Sequence, residues 1–400
     1  MSNMTLQELE THIVDNHNRK RDLKVMTNKD ITVVPHGKEV AVVDKEYGMF
    51  VPTWLWHSQT YTETDIRSHY YKKCLADDPA HLADELNYWF KKNPTQRLFR
   101  GFAGDNGPGV FRANLSPSFK LSLDNYDVAK GLVPVFGEMR QAGVQLEVIS
   151  CDINPDRMFI KALSPKLKAD VVPGHPVQAG FMIRNGEVGN ASFEISTILY
   201  ELVCRNGAVH EKLLEKRHVG SRHQYTAQRE ILISDETRNA QALAFSLEVR
   251  DYVRASLLDE RRFLGTVNRL QQLVAMKVEK PLHAIEMLGE ELNLKKNEIE
   301  AAKNRLIETQ PLAGKYSIFD LTRAITNTAN DPAFDAPIDV TATVIEEFKE
   351  SQQPKRKQDQ TPDEKKPLTG GYDRATDLQR AGGSVLGLAD SLLGEIAKAA

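Results

Sequence analysis

Between about Lys38 and Gly220 the chain is cut into short β-prone runs by Gly, Asn, Asp and Pro, with a helix-forming stretch among them. Runs interrupted this often satisfy their backbone groups by pairing with one another as hairpins. From about Thr226 to Glu308 the pattern changes. There a charged sequence carries Val249, Val253, Leu257, Leu264, Val267 and Val274 as a long apolar stripe at helical spacing. The combination predicts an α+β fold of antiparallel strand hairpins with a covering helix, followed by a helical region and a disordered C-terminal tail. Five units are expected. Residues 1–37 read as a polar helical segment ending in the basic run Arg19, Lys20, Arg21 and Lys24. Residues 38–224 read as the α+β core, 225–348 as helical, 349–383 as a disordered linker without apolar periodicity, and 384–400 as a short amphipathic helix.

Three hairpins can be placed. Leu98–Phe102 and Val110–Leu115 flank the Gly-rich run 104–109, and alternation puts Phe111, Ala113 and Leu115 on a core face with Arg112 and Asn114 opposite. Leu146–Cys151 and Met158–Leu163 flank Asn154-Pro155-Asp156. In the third, Val177, Ala179, Phe181 and Ile183 face inward before a turn at Asn185-Gly186, and Ala191, Phe193 and Ile195 line the returning strand. The segment from Tyr126 to Ala142 has helical spacing despite Pro134. Pro281 marks a helix start, and residues 281–308 read as two packed helices around Leu292-Asn293-Leu294.

Composition narrows the function classes. A chain of 400 residues that is 41% hydrophobic can bury a full core, and a formal net charge of −3 means that any nucleic-acid partner must be met locally. Cys74, Cys151 and Cys204 are far apart and odd in number, which suits a reducing compartment. With no apolar run near membrane length and no signal-peptide block at the N-terminus, the expectation is a cytoplasmic protein with no membrane partner.

Catalytic and metal motifs are weak. Cys204 has His210 and His218 only as sequence neighbours, and a buried cysteine is the simpler reading. The eleven histidines form neither HxxxH nor HExxH, and no cysteine pair supports zinc. Glycines 101, 104, 107 and 109 are followed by no Gly-Lys-Ser/Thr, so they suit a hairpin loop better than a phosphate loop. Asp152 and Asp156 lie close enough to suggest magnesium, yet Pro155-Asp156 is ordinary turn chemistry. The expectation is therefore no catalytic residue, no metal and no cofactor.

Three blocks carry a resemblance. Arg112-Ala113-Asn114-Leu115-Ser116-Pro117 is followed by Leu123-Asp124-Asn125-Tyr126. A second block runs through Asn185-Gly186-Glu187-Val188-Gly189-Asn190, Leu199-Tyr200, Val203 to Val209 and Arg217-His218-Val219-Gly220-Ser221. The third is Tyr316 to Asn327. Together they resemble the phage/plasmid-like family known as domain of unknown function 932, over about residues 95 to 330. The resemblance implies a chain coded by a phage, plasmid or integrated element.

The densest positive signal runs from Arg205 to Arg229. Arg205, Lys212, Lys216, Arg217, Arg222 and Arg229 stand against Glu211 and Glu215, and 6 − 2 gives +4. Such a segment suits phosphate contacts. Hairpins with one covering helix are also similar in kind to phage strand-annealing proteins, a likeness of fold and not of site. The leading expectation is thus single-stranded DNA binding or annealing, with Arg112, Arg205, Lys212, Lys216, Arg217 and Arg222 on phosphates and Phe99, Phe102 or Tyr225 stacking on bases. The competing class is a non-enzymatic interaction, regulatory or oligomeric structural factor. In it Val385, Leu388, Leu392 and Ile396, on one face of the terminal helix, capture a protein partner or a second copy.

Overall fold

The computed structural model describes residues 5–116, 119, 123–144, 146–202, 206–216, 235–330 and 371–399. The fold is α+β, with two sheets and helices packed on both.

The first sheet begins after helix α1 (Leu6–Arg19), whose N-terminus is closed by a reciprocal Thr5–Glu8 capping box. Its strands are β1 (Lys20–Thr27), β2 (Thr32–His36), β3 (Glu39–Asp44), β4 (Gly48–Pro52), β5 (Gln96–Phe102) and β6 (Gly109–Leu115), in the order β1-β5-β6-β4-β3-β2. Only the β4–β6 pairing is parallel. The polar helical segment expected over residues 1–37 therefore ends at Arg19. The basic run that follows belongs to β1, which pairs antiparallel with β5. Both sheet edges thus come from residues read as an appendage.

Helices α2 (Trp54–Glu63), α3 (Ser68–Asp77) and α4 (Pro79–Lys92) stand between β4 and β5, where the hairpin reading placed none. Asp78 caps α4 by accepting from the His81 amide, and Pro79 takes the first helical position, where its missing N–H is harmless. Leu82, Leu86 and Phe90 then fall on one face and join Val33, Val42, Phe50, Trp56 and Phe99 in the first core.

The second sheet is an antiparallel meander of β7 (Glu147–Ile153), β8 (Met158–Val172), β9 (His175–Gly186), β10 (Ala191–Glu201) and β11 (Asn206–Lys216). One face is covered by α5 (Asn125–Gln141) and α6 (Asp235–Leu258). Val128, Leu132 and Val135 pack with Val249 and Val253 against Phe181, Ile183, Phe193 and Ile195. Gly131 is required at the crossing, because a Cβ there would lie 2.4 Å from the Ser246 carbonyl oxygen. Leu163, Met182, Ile198 and Val209 are buried on the opposite face.

The helical region caps this sheet. It comprises α7 (Glu260–Ala275), α8 (Pro281–Glu291), α9 (Lys296–Glu308), α10 (Ile318–Thr328), α11 (Gly371–Ser384) and α12 (Asp390–Ala399). Residues from α7 to α10 share one core with Leu167, Val171, Val177 and Leu199 of the strands.

Four expectations are corrected here. Residues 371–383, read as linker, are helical, and the terminal helix begins at Asp390. The third turn uses Glu187 to Asn190, with Gly189 at φ +79°, while Gly186 pairs with Ala191 in the ladder. Leu264 leaves the apolar stripe because the helix breaks at Asp259, which caps α7 and resets the phase. Arg112 and Asn114 are buried along with the opposite face of β6, so that strand is enclosed on both sides.

Candidate functional site

Residues of the first two sequence blocks, Arg112, Asp124, Asn125, Asn185 and Glu187, meet where the two sheets adjoin, while the third block lies in α10 of the helical cap. Arg100 on β5 is fully buried and clamps Asp124, at the N-terminus of α5, with Nη1 donating to Oδ1 at 3.0 Å and Nη2 to Oδ2 at 2.9 Å. Lys20 of β1 also reaches Asp124. Nη1 of Arg100 further donates to the Glu187 carbonyl at 2.7 Å. Arg112 donates from Nη2 to Glu187 Oε2 at 2.7 Å and from Nε to the Pro155 carbonyl, and its guanidinium lies 4.2 Å from the centre of the Phe102 ring. The other oxygen of Glu187 accepts from the Asn125 amide at 2.6 Å. Asn185 completes the set by donating to Leu123 O and Asn125 Oδ1.

This network explains the local sequence. The turn between β9 and β10 carries Glu187 back to the start of α5, where it satisfies a helix N-terminal amide that would otherwise be buried unpaired. Burial alone would raise the Asp124 carboxyl, but Arg100 and then Lys20 overrule it and hold it well below the usual range. Asp124 is therefore an anion at neutral pH, not a proton donor. Burial and the Asp124 charge push the neighbouring Asp127 up.

Beside the network is a cleft of about 190 Å³ between α1, β5–β6 and the β7–β8 turn. Its polar rim is His12, Asn16, Arg19 and Asn154, and its apolar lining is Phe102, Val110, Ile153 and Pro155. His17, next to it, stacks on Tyr126 at 3.8 Å, and burial followed by the charge of Lys20 lowers its pKa.

The residues expected to hold DNA are dispersed. Phe99 is wholly enclosed in the first core, and Phe102 is 6% exposed with one ring face taken by Arg112, its remaining surface lining the cleft. Arg112 is 1% exposed and committed to Glu187, which removes it as a phosphate contact. On β11, Lys212 pairs with Glu215 at 2.8 Å and Lys216 pairs with Glu248 of α6. Arg205, Arg217, Arg222 and Tyr225 lie outside the described residues. Val385 and Ile396 are in the second sheet's helical core, with Leu388 and Leu392 packed against it, so the face expected to capture a partner is used within the chain.

Sequence reasoning missed Arg100, Lys20 and Glu187 as the centre of the network. An arginine inside the otherwise apolar run Leu98–Phe102 was the available signal. No helix among the described residues is long and apolar enough to cross a membrane. No protein-family model, curated protein or solved structure matches this chain.

Proposed function

We propose that this chain is a non-enzymatic single-stranded-DNA-binding factor of a phage or plasmid element, and that it contacts phosphates through the segment that joins β11 to α6. The supporting observation is a contrast in charge pairing. The lysines of β11 are matched by Glu215 and Glu248. The run from Arg217 to Arg229 that follows holds three arginines, two histidines and no carboxylate, so 3 − 0 gives +3. A run of this net charge suits a phosphate backbone, and Tyr225 within the run supplies a ring on which a base can stack. The arginines buried at the sheet junction hold the scaffold.

Salt dependence tests the reading. In fluorescence anisotropy with a labelled single strand, replacing Arg217, Arg222 and Arg229 by glutamine should flatten the plot of log affinity against log salt by about 2, at roughly 0.7 per lost contact. The Lys212→Gln/Lys216→Gln double variant should change it little. Absence of binding by the parent at about 50 mM salt overturns the proposal, because electrostatic affinity is strong there. Equal flattening by both sets would move the contact onto β11.

A second reading, an interaction or oligomeric factor, is favoured by the exposed Leu243 (63%), Leu247, Leu258 and Leu264 along α6 and α7. Sedimentation of the Leu243→Asp/Leu247→Asp variant tests it, with a lower association state than the parent as the expected result.

A further inference from the structure

We propose that Cys74, His81 and Glu85 form a binding site for a zinc-class divalent ion that clips α3 to α4. One ligand atom from each residue can be chosen such that all lie within 4.8 Å of one another. His81 and Glu85 are four residues apart on α4, hence on one face, and Cys74 projects from the last turn of α3. The helical phase that brings them together is fixed by burial. Tyr71, Leu82 and Leu86 are sequence neighbours of Tyr70, His81 and Glu85 and point into the first core, which turns the other three toward the outer seam.

Two observations mark the seam as a ligand position. Glu85 Oε2 is buried and makes no well-formed hydrogen bond, the Tyr70 hydroxyl being the group that interacts with this carboxylate, a costly arrangement for a buried carboxylate oxygen. The Tyr70 hydroxyl lies 3.0 Å from His81 Nε2 and is within hydrogen-bonding reach of Cys74 and Glu85. One hydroxyl is thus within reach of all three donors, which is the place an ion would take. Asp77 and Asp78 close the α3–α4 turn and add negative charge.

The donor set selects the metal. Thiolate, imidazole and carboxylate together suit zinc, whereas magnesium and calcium prefer oxygen alone. Tetrahedral zinc holds neighbouring sulfur and nitrogen donors about 3.5 Å apart, so the side chains need close in by only about 1 Å. Three protein ligands leave the fourth position to water once the Tyr70 hydroxyl has moved aside.

Cobalt(II) titrated into the reduced, metal-stripped full-length chain is the test. One equivalent should produce a thiolate-to-cobalt charge-transfer band that zinc abolishes by displacement, and zinc should raise Tm. Cys74→Ser should lose the band while keeping the circular dichroism of the parent. His81→Gln and Glu85→Gln, at exposed and half-buried positions, should keep the fold and weaken cobalt binding at least about tenfold, since losing even an outer-shell partner has that effect. A parent with no band overturns the site, as does a band undiminished in Cys74→Ser, which would assign the thiolate to another cysteine. Unchanged affinity in both His81→Gln and Glu85→Gln overturns it as well.

Discussion

At the sheet junction, Arg100 and Arg112 meet Asp124 and the side chain of Glu187, all between residues 100 and 187. In the helical cap, Glu194 meets Arg184 and Arg380, Glu201 meets Arg323, and Glu298 meets Arg374. Both regions bury carboxylates against arginine, but the cap draws partners from as far as 186 residues along the chain. Buried pairs of this kind are dear to desolvate and add little net stability, so what they fix is geometry. At the junction they orient elements already stapled by apolar faces. In the cap they seat a helix, α11, that sinks few apolar side chains, chiefly Ala375 and Leu378, and is placed by Arg374, Gln379 and Arg380.

The largest effect should come from removing α11 and α12. Leu378, Val385, Leu393 and Ile396 are fully or almost fully buried, and at about 1.5–3 kcal/mol each their loss is about 6–12 kcal/mol, comparable with the whole stability of a domain. A chain ending at residue 370 should keep amide protection in the first sheet while α7 to α10 exchange freely. A single unfolding transition at the parent's midpoint would break the comparison, since the cap would then stand without its last helices.

A smaller effect separates the two kinds of pair. Arg100→Met removes a fully buried bidentate clamp and the bond to the Glu187 carbonyl, leaving Asp124 with Lys20 alone, and should cost about 3–5 kcal/mol in urea denaturation. Arg380→Met should cost about 1–2 kcal/mol, the penalty for one lost hydrogen-bonded charge, because Glu194 keeps Arg184 and Ser196 and Arg380 is 28% exposed. Equal losses would mean that the distinction drawn above is wrong.

The smallest effect should come from pH. Asp124 has a folded pKa below 3.8, so its contribution is present above that value and is lost as pH falls toward the lowered one; the junction should weaken in acid. Lys161, under α11, behaves oppositely. Burial lowers it from 10.5 to about 8, so below pH 8 the fold must bury a charge, and stability should rise as pH passes from about 8 to 10.5. Lys161→Met should add about 1–2 kcal/mol at pH 7, allowing for the Gln379 oxygen it leaves unpaired, and should abolish that alkaline rise. A rise that survives the substitution would place its origin elsewhere.

Much of the fold was legible in the sequence. Alternation found the strands of all three hairpins, and Pro281 and Leu292-Asn293-Leu294 marked α8 and α9 to within about two residues. Regions held by polar anchors were not legible. Apolar periodicity has nothing to report in Gly371 to Ser384, where arginines do the docking. The third turn slid off Asn185-Gly186 because Asn185 is held by Leu123 and Asn125, contacts about 60 residues away. The blocks around Arg112, Asp124 and Glu187 stood out as sequence, yet their burial could not be read from a strand pattern that assumed one wet face. The proximity of Cys74, His81 and Glu85 escaped because a metal motif was sought as a short sequence pattern, whereas Asp78-Pro79 joins two helices that bring the three together.

The order of the core's parts along the chain has a consequence for synthesis. The first sheet and its helices are complete once residue 115 has emerged, so that half can close early on the ribosome. The cap cannot. Leu167, Val171 and Leu199 wait for α7 to α10, which share their core, and until those helices have been made this face of the second sheet stays uncovered, which makes this half the one that would call on a chaperone.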